Sequence, residues 1–352
     1  MKILVTGNMG YVGPLVLRRL RESHTQATLI GYDIGYFAHC LTGATRVPES
    51  WADVQYFGDI RRVPESILQG IDAIVHLCAI SNDPMGATFE GVTLDINYQA
   101  SIDLAEKAKG AGVKTFVFAS SCSVYGFAEG GPRREEDALN PLTAYAKSKV
   151  NTERDLASLA SETFTVTCLR FATACGMSDR LRLDLVLNDF VASALVTKRI
   201  NILSDGTPWR PLIHVKDMAR AIDWAVQRDY RDGGFFLTIN VGSDVWNYQV
   251  KDLAAAVARL VPNVEVSINK DAQPDKRSYQ VNFDKFSKLA QGFLPMVDLE
   301  NAVKDLRDGL MAMQFRDPEF RTGELIRLVT LRRLRESGQL ADELVWKEKV
   351  TG

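Results

Sequence analysis

The chain opens on a compact apolar run, Lys2–Thr6, and passes through Gly7 into a segment where Val12, Val16 and Leu20 recur every fourth residue. The first pattern predicts a strand and the second a helix with one apolar face. Thr28–Tyr32, ending at Asp33, repeats the strand pattern, as do Ile71–Ile80, Thr115–Ala119 and Thr163–Arg170. Several of these runs are almost continuously apolar, which suits parallel strands buried on both faces. Between them, Tyr98–Lys109 and Ala144–Leu159 read as helices. Strands alternating with helices imply βαβ units, and so an α/β fold built on a Rossmann-type, doubly wound parallel sheet.

Beyond about residue 170 the pattern loosens. Segments 181–198, 251–260 and 298–313 read as helices, and 199–203 and 235–241 as strands. The division expected is a cofactor-binding domain over 1–170 and a smaller C-terminal α/β substrate lobe over 171–352, some segments of which return to the first domain. The last stretch carries Leu325, Leu328, Leu331, Leu334, Leu340 and Leu344 among charges and reads as an amphipathic helix. It either docks on the body or forms an oligomer contact.

Composition narrows the function. The 352 residues hold 42 Lys+Arg against 44 Asp+Glu, a formal net charge of −2, which argues against a protein held to nucleic acid by a global positive field. No apolar run approaches the ~18 residues of a membrane span, so no membrane partner is expected. The five cysteines form no CxxC pair, and the four histidines lack metal-ligand spacing. That scatter suits reduced thiols in a cytoplasmic chain, with no metal site.

Three groups of residues carry chemistry. Gly7, Gly10 and Gly13 lie between a predicted strand and a predicted helix. A phosphate-binding turn needs positive φ, close backbone approach and tight helix–strand packing, and glycine serves all three. The helix start then offers free N–H groups to phosphate. The absence of a following GK[ST] disfavours a P-loop. Asp33, 20 residues beyond Gly13, is placed to accept the adenosine ribose hydroxyls and would repel a 2′-phosphate, which favours NAD over NADP. Asp59, in Gly58-Asp59-Ile60, either binds the adenine edge or sits in a surface turn. Tyr145 and Lys149 are four apart on one helix face. A nearby ammonium lowers a phenol's pKa, and the phenolate can then take a substrate hydroxyl proton. The segment Ala119–Gly126 follows the Thr115 strand and either offers a hydroxyl at the edge where open α/β sheets bind ligands or is a Ser-rich turn.

Together these residues resemble the extended short-chain dehydrogenase/reductase family in its nucleotide-sugar branch, which includes enzymes like UDP-glucose 4-epimerase. The resemblance runs from Met1 to about residue 315 and also rests on His76-Leu77-Cys78-Ala79, Asn97, Ser120–Gly126 and the segment Arg210–Asp217. It implies that Tyr145 is the catalytic acid/base, that Lys149 holds the nicotinamide ribose and tunes that tyrosine, and that Ser121 is the catalytic hydroxyl. It further implies Gly7, Gly10, Gly13, Tyr11, Val12, Asp33, Asp59, Ile60, Leu77, Ala79, Asn97 and Lys149 as cofactor contacts, and Ser81, Thr173, Arg210 and Arg277 as substrate contacts. His76 and His214 read as core histidines.

Two departures bear on the reaction. The 4,6-dehydratases of this family carry an Asp-Glu pair where this chain has Cys122 and Ser123, and Phe171-Ala172-Thr173 replaces the aromatic–Phe–Asn triplet of galactose epimerases. Cys122 is either a thiol base or a small buried residue. The expected activity is an NAD-dependent epimerisation of a nucleoside-diphosphate sugar, at C4, through transient oxidation to a keto-sugar. The alternatives are a 4-keto-sugar reductase, a dehydratase using Cys122, and a non-catalytic NAD-sensing regulator. The resemblance also implies a homodimer.

Overall fold

The computed structural model describes residues 1–128, 130–272 and 278–347. Seven parallel strands form the central sheet: β1 (Lys2–Thr6), β2 (Thr28–Asp33), β3 (Val54–Phe57), β4 (Ala73–His76), β5 (Thr115–Ser121), β6 (Thr165–Phe171) and, after three strands of other sheets, β10 (Phe236–Val241). Their order is β3-β2-β1-β4-β5-β6-β10. This is the doubly wound arrangement predicted from the apolar runs, with the reversal of strand order between β1 and β4. Alternate residues of β1 feed opposite cores: Ile3 and Val5 pack on one face of the sheet and Leu4 on the other. β3 escaped the sequence reading because it is a four-residue edge strand with exposed Val54, Tyr56 and Phe57.

The second half is interleaved with the first. Helix Val215–Gln227 packs on helix Gly13–Ser23, where buried Asp223 accepts from Arg19 at 2.8 Å and lies 2.9 Å from His24 Nε2. β10 then pairs in parallel with β6. Residues 215–241 thus complete the first layer. The remaining strands, β7 (Thr173–Cys175), β8 (Arg199–Ile202), β9 (Trp209–His214), β11 (Asn247–Gln249) and β12 (Glu265–Ile268), form a three-stranded β11-β9-β7 sheet and a β12-β8 pair.

Two expected helices are shorter. Segment 181–198 is helical only over Val186–Val196, and the tail only over Arg327–Glu336. Leu340 and Trp346 instead form an antiparallel bridge, and Leu344 turns the chain at φ +56°. Burial of Leu340 and Leu344 is achieved by this turn rather than by a helix face. The tail docks on the end of β2: Trp346 Nε1 donates to the Ile34 carbonyl at 2.8 Å and the Tyr36 hydroxyl donates to the Leu344 carbonyl. No helix among the described residues is long and apolar enough to cross a membrane.

Candidate active site

One cavity of about 1070 Å³ opens at the carboxyl ends of β1, β2, β4, β5 and β6. It exceeds the roughly 300–1,000 Å³ of a site for one small ligand. It lies where the strand order reverses, the place at which open α/β sheets bind ligands.

The glycine turn fits a dinucleotide diphosphate. Gly7 has φ +75°, and a Cβ there would come within 2.6 Å of the Cys78 backbone nitrogen. A Cβ on Gly13 would overlap the Asn8 backbone. Gly10, Tyr11, Val12 and Gly13 line the cavity, and helix Gly13–Ser23 begins with no side-chain cap and no acidic residue in its first turn. Its first N–H groups are therefore left for an anion. Asp33, at the end of β2, accepts the Met9 N–H at 3.0 Å and the Gly35 N–H at 2.8 Å, and burial raises its carboxyl pKa. Asp59 and Ile60 reach the same cavity wall, but the Asp59 carboxylate is bound by the Arg61 guanidinium at 2.5 Å. Leu77 and Ala79 complete this side.

The residues expected to react lie on the opposite wall. Thr143 caps the helix Ala144–Leu159: its hydroxyl oxygen accepts the Ala146 N–H at 3.1 Å, and it donates to Asp83 at 2.7 Å. That cap sets Tyr145 in the first turn, with Lys149 one turn on. The Ser121 hydroxyl, at the end of β5, hydrogen-bonds the Tyr145 phenol. Burial pushes the phenol up to about 12 against that hydrogen bond. Lys149 is 3% exposed, and burial pulls its ammonium down to about 8 against the attraction of Glu153. Its Nζ donates to the Ala119 carbonyl at 2.7 Å and lies 5.6 Å from the Tyr145 ring centroid. Burial is thus the largest influence on the phenol, and the groups that lower it are Ser121 and Arg182 rather than the expected Lys149.

Two candidate site residues lie behind the cavity wall rather than on it. Cys122 is fully buried, faces away from the cavity and donates its thiol to the Arg170 carbonyl at 3.1 Å. Burial pushes its pKa up, so a thiolate base at this position is disfavoured. We expect Cys122→Ala to leave turnover within about twofold while lowering stability by about 1 kcal/mol, readable from steady-state rates and a urea titration. Asn97 does not reach the cavity either. It sits in a π-turn over Asp95–Gln99, takes the Ile80 N–H at 2.8 Å and returns a hydrogen bond to the Ile80 carbonyl at 3.0 Å. It shapes the loop after β4 from outside the cavity lining.

Ser81, Thr173 and Arg210 line the cavity as expected, and Arg277 lies outside the described residues. His76 and His214 are buried core groups: His76 Nδ1 lies 2.7 Å from the Thr6 hydroxyl, and His214 Nε2 lies 3.1 Å from Asp305. The sequence reading missed Arg182 and Asp184. Arg182 donates to the Ser81 hydroxyl at 2.8 Å and pairs with Asp184 at 2.8 Å inside the cavity wall. The charged–apolar alternation Arg180-Leu181-Arg182-Leu183-Asp184, which does not follow helical spacing, is the signal that was available. Arg321 and Arg327, from the tail, were also missed.

Residues 3–242 match the NAD dependent epimerase/dehydratase family, and the chain belongs to that family. It is accordingly an enzyme of the extended short-chain dehydrogenase/reductase type, and its cofactor is NAD. It is 30% identical over 251 residues to an uncharacterized UDP-glucose epimerase, YtcB, of Bacillus subtilis, covering 69% of this chain and 77% of that one. It is 27% identical to a UDP-glucose 4-epimerase of Streptomyces lividans, over 74% of this chain and 80% of the relative. Among solved structures, MoeE5 in complex with UDP-glucuronic acid and NAD superposes with a TM-score of 0.76 at 25% identity, over 88% of this chain and 99% of MoeE5. Relatives of similar likeness include UDP-glucuronic acid decarboxylase and dTDP-glucose 4,6-dehydratase, so the family covers more than one reaction.

Proposed function

We propose that this enzyme is an NAD-dependent epimerase of a nucleoside-diphosphate sugar, acting at C4. The observation that carries the reading is a site with one acid/base group at its centre. Tyr145 faces the cavity beside Ser121, whereas the two following positions are a buried thiol and the Ser123 hydroxyl. Two of the cavity carboxylates are engaged: Asp83 accepts from Thr143, and Asp184 is held by Arg182. Elimination of water needs a separate acid and base, and epimerisation does not.

NAD, when bound, would supply the hydride acceptor, and hydride return to the opposite face of the transient keto-sugar would invert C4. Tyr145 would take the hydroxyl proton as hydride leaves the same carbon, and would give it back to the oxygen when the ketone is reduced. Ser121 holds the same oxygen and keeps the phenol oriented. Lys149 supplies positive charge beneath the tyrosine and a donor for the cofactor's ribose. Gly7, Gly10 and Gly13 would receive the cofactor's diphosphate, and Asp33 would accept from its adenosine ribose. Arg210 and Thr173, on β9 and β7, line the substrate half of the cavity, where an arginine fork suits phosphate oxygens.

The test is the purified enzyme incubated with UDP-, GDP-, CDP- and dTDP-sugars. A 4-epimer formed without net change in NADH is the expected result. Stoichiometric NADH consumption with a keto-sugar would assign a reductase, and a product lighter by one water a dehydratase.

A further inference from the structure

The tail helix Arg327–Glu336 begins with an arginine that is 1% exposed and lines the cavity. Its guanidinium stacks 4.6 Å from the Phe37 ring centroid, and its Nη2 donates to the Arg180 carbonyl at 2.8 Å. Its Nη1 is buried with no hydrogen-bond partner. The two neighbouring buried arginines are neutralised, Arg180 by Glu49 at 2.6 Å and Arg182 by Asp184 at 2.8 Å. Among the described residues no carboxylate pairs with Arg327. Burial, with the fields of Arg182 and Arg180, pulls its guanidinium down to about 10, though Cys40 and Asp184 act the other way. A buried cation with an open donor and no counter-ion destabilises the fold, and a bound anion removes that cost.

The chain of contacts around Arg327 points to which anion. Its acceptor, the Arg180 carbonyl, belongs to a segment tied to the glycine turn. The Ser178 hydroxyl accepts the Arg180 N–H at 3.2 Å and donates to the Tyr11 carbonyl at 2.6 Å. On the other side, Phe37 lies four residues past Asp33. Arg327 is thereby fastened to both the turn that receives phosphate and the strand end that receives the adenosine ribose. We propose that Arg327 binds the diphosphate of NAD, so that the C-terminal tail, beyond the residues 3–242 that match the family, is part of the cofactor site. The inference does not depend on which sugar is turned over or how.

The experiment compares the affinities of NAD, ADP-ribose, adenosine and UDP for the full-length enzyme and for Arg327→Met and Arg327→Lys. One charge-assisted hydrogen bond corresponds to a roughly ten- to hundred-fold loss. Arg327→Met is expected to lose that much for NAD and for ADP-ribose and nothing for adenosine or UDP. Arg327→Lys is expected to recover part of it, and carries the test alone should the methionine variant fail to fold. Unchanged NAD and ADP-ribose affinity would overturn the proposal. A loss confined to UDP would overturn it by assigning the guanidinium to the sugar nucleotide, and an equal loss for adenosine would reduce Arg327 to a structural role.

Discussion

Tyr145→Phe is expected to lower turnover by about 10³-fold, the middle of the range for losing a positioned acid/base. The substitution removes one oxygen and leaves the ring, so the packing around it is kept. The helix cap at Thr143 and the contact of Gly86 with the Tyr145 backbone do not involve the phenol. Ser121 loses a hydrogen-bond partner but remains anchored, since its Oγ accepts the Ser123 N–H at 3.1 Å. NAD affinity and the unfolding midpoint should therefore stay near those of the parent, because neither depends on the missing proton. The loss should fall on kcat, with KM for the sugar nucleotide little changed, as for an interaction made in the transition state. Steady-state rates with calorimetric NAD binding check this. Turnover within tenfold of the parent, in a variant that still binds NAD, would remove Tyr145 from the chemistry.

The cofactor half of this site was legible in the sequence because its requirements are local. A strand, a glycine turn and a helix start occupy Lys2–Ser23 in one stretch, and each constraint shows as a residue type at a fixed spacing. Tyr145 and Lys149 share a helix face for the same reason. What escaped was assembled by distant chain. Arg182 reaches the wall only because 178–185 is an irregular loop tied to Tyr11 and Thr42, where the pattern from residue 181 onward predicts helix. Arg327 enters the cavity because the tail docks on β2, a tertiary contact that leaves no periodic trace. For Cys122 the sequence leaves a thiol base and a small buried residue open; successive residues leave a strand end on different sides, and this one turns into the core.

Glu153 tests how far the fold supports the chemistry, and Glu153→Gln is expected to lower stability by about 3–5 kcal/mol, the usual effect of leaving one partner of a buried ion pair uncompensated. The pair is almost wholly enclosed: Arg170 and Glu153 are 2.7 Å apart, each with 6% of its side chain exposed. The Ser120 hydroxyl donates to the same carboxylate, and Arg170 also donates to the Tyr125 hydroxyl at 3.0 Å. The amide keeps the shape and drops the charge, so the loss reports the isolated guanidinium. Changing both partners together, in Glu153→Leu with Arg170→Met, should recover much of it, short of the hydrogen bonds Arg170 makes elsewhere. Urea titrations of the three proteins read these differences. The same variant should alter catalysis through Lys149. Burial sets that ammonium near pH 8, and the Glu153 carboxylate is the largest influence holding it up. Without the carboxylate the ammonium loses its proton at lower pH, so the falling basic limb of the rate should move from about pH 8 toward neutrality. A limb that stays in place while stability falls would mean that the ionisation of Lys149 does not govern turnover, and that Glu153 serves the sheet alone.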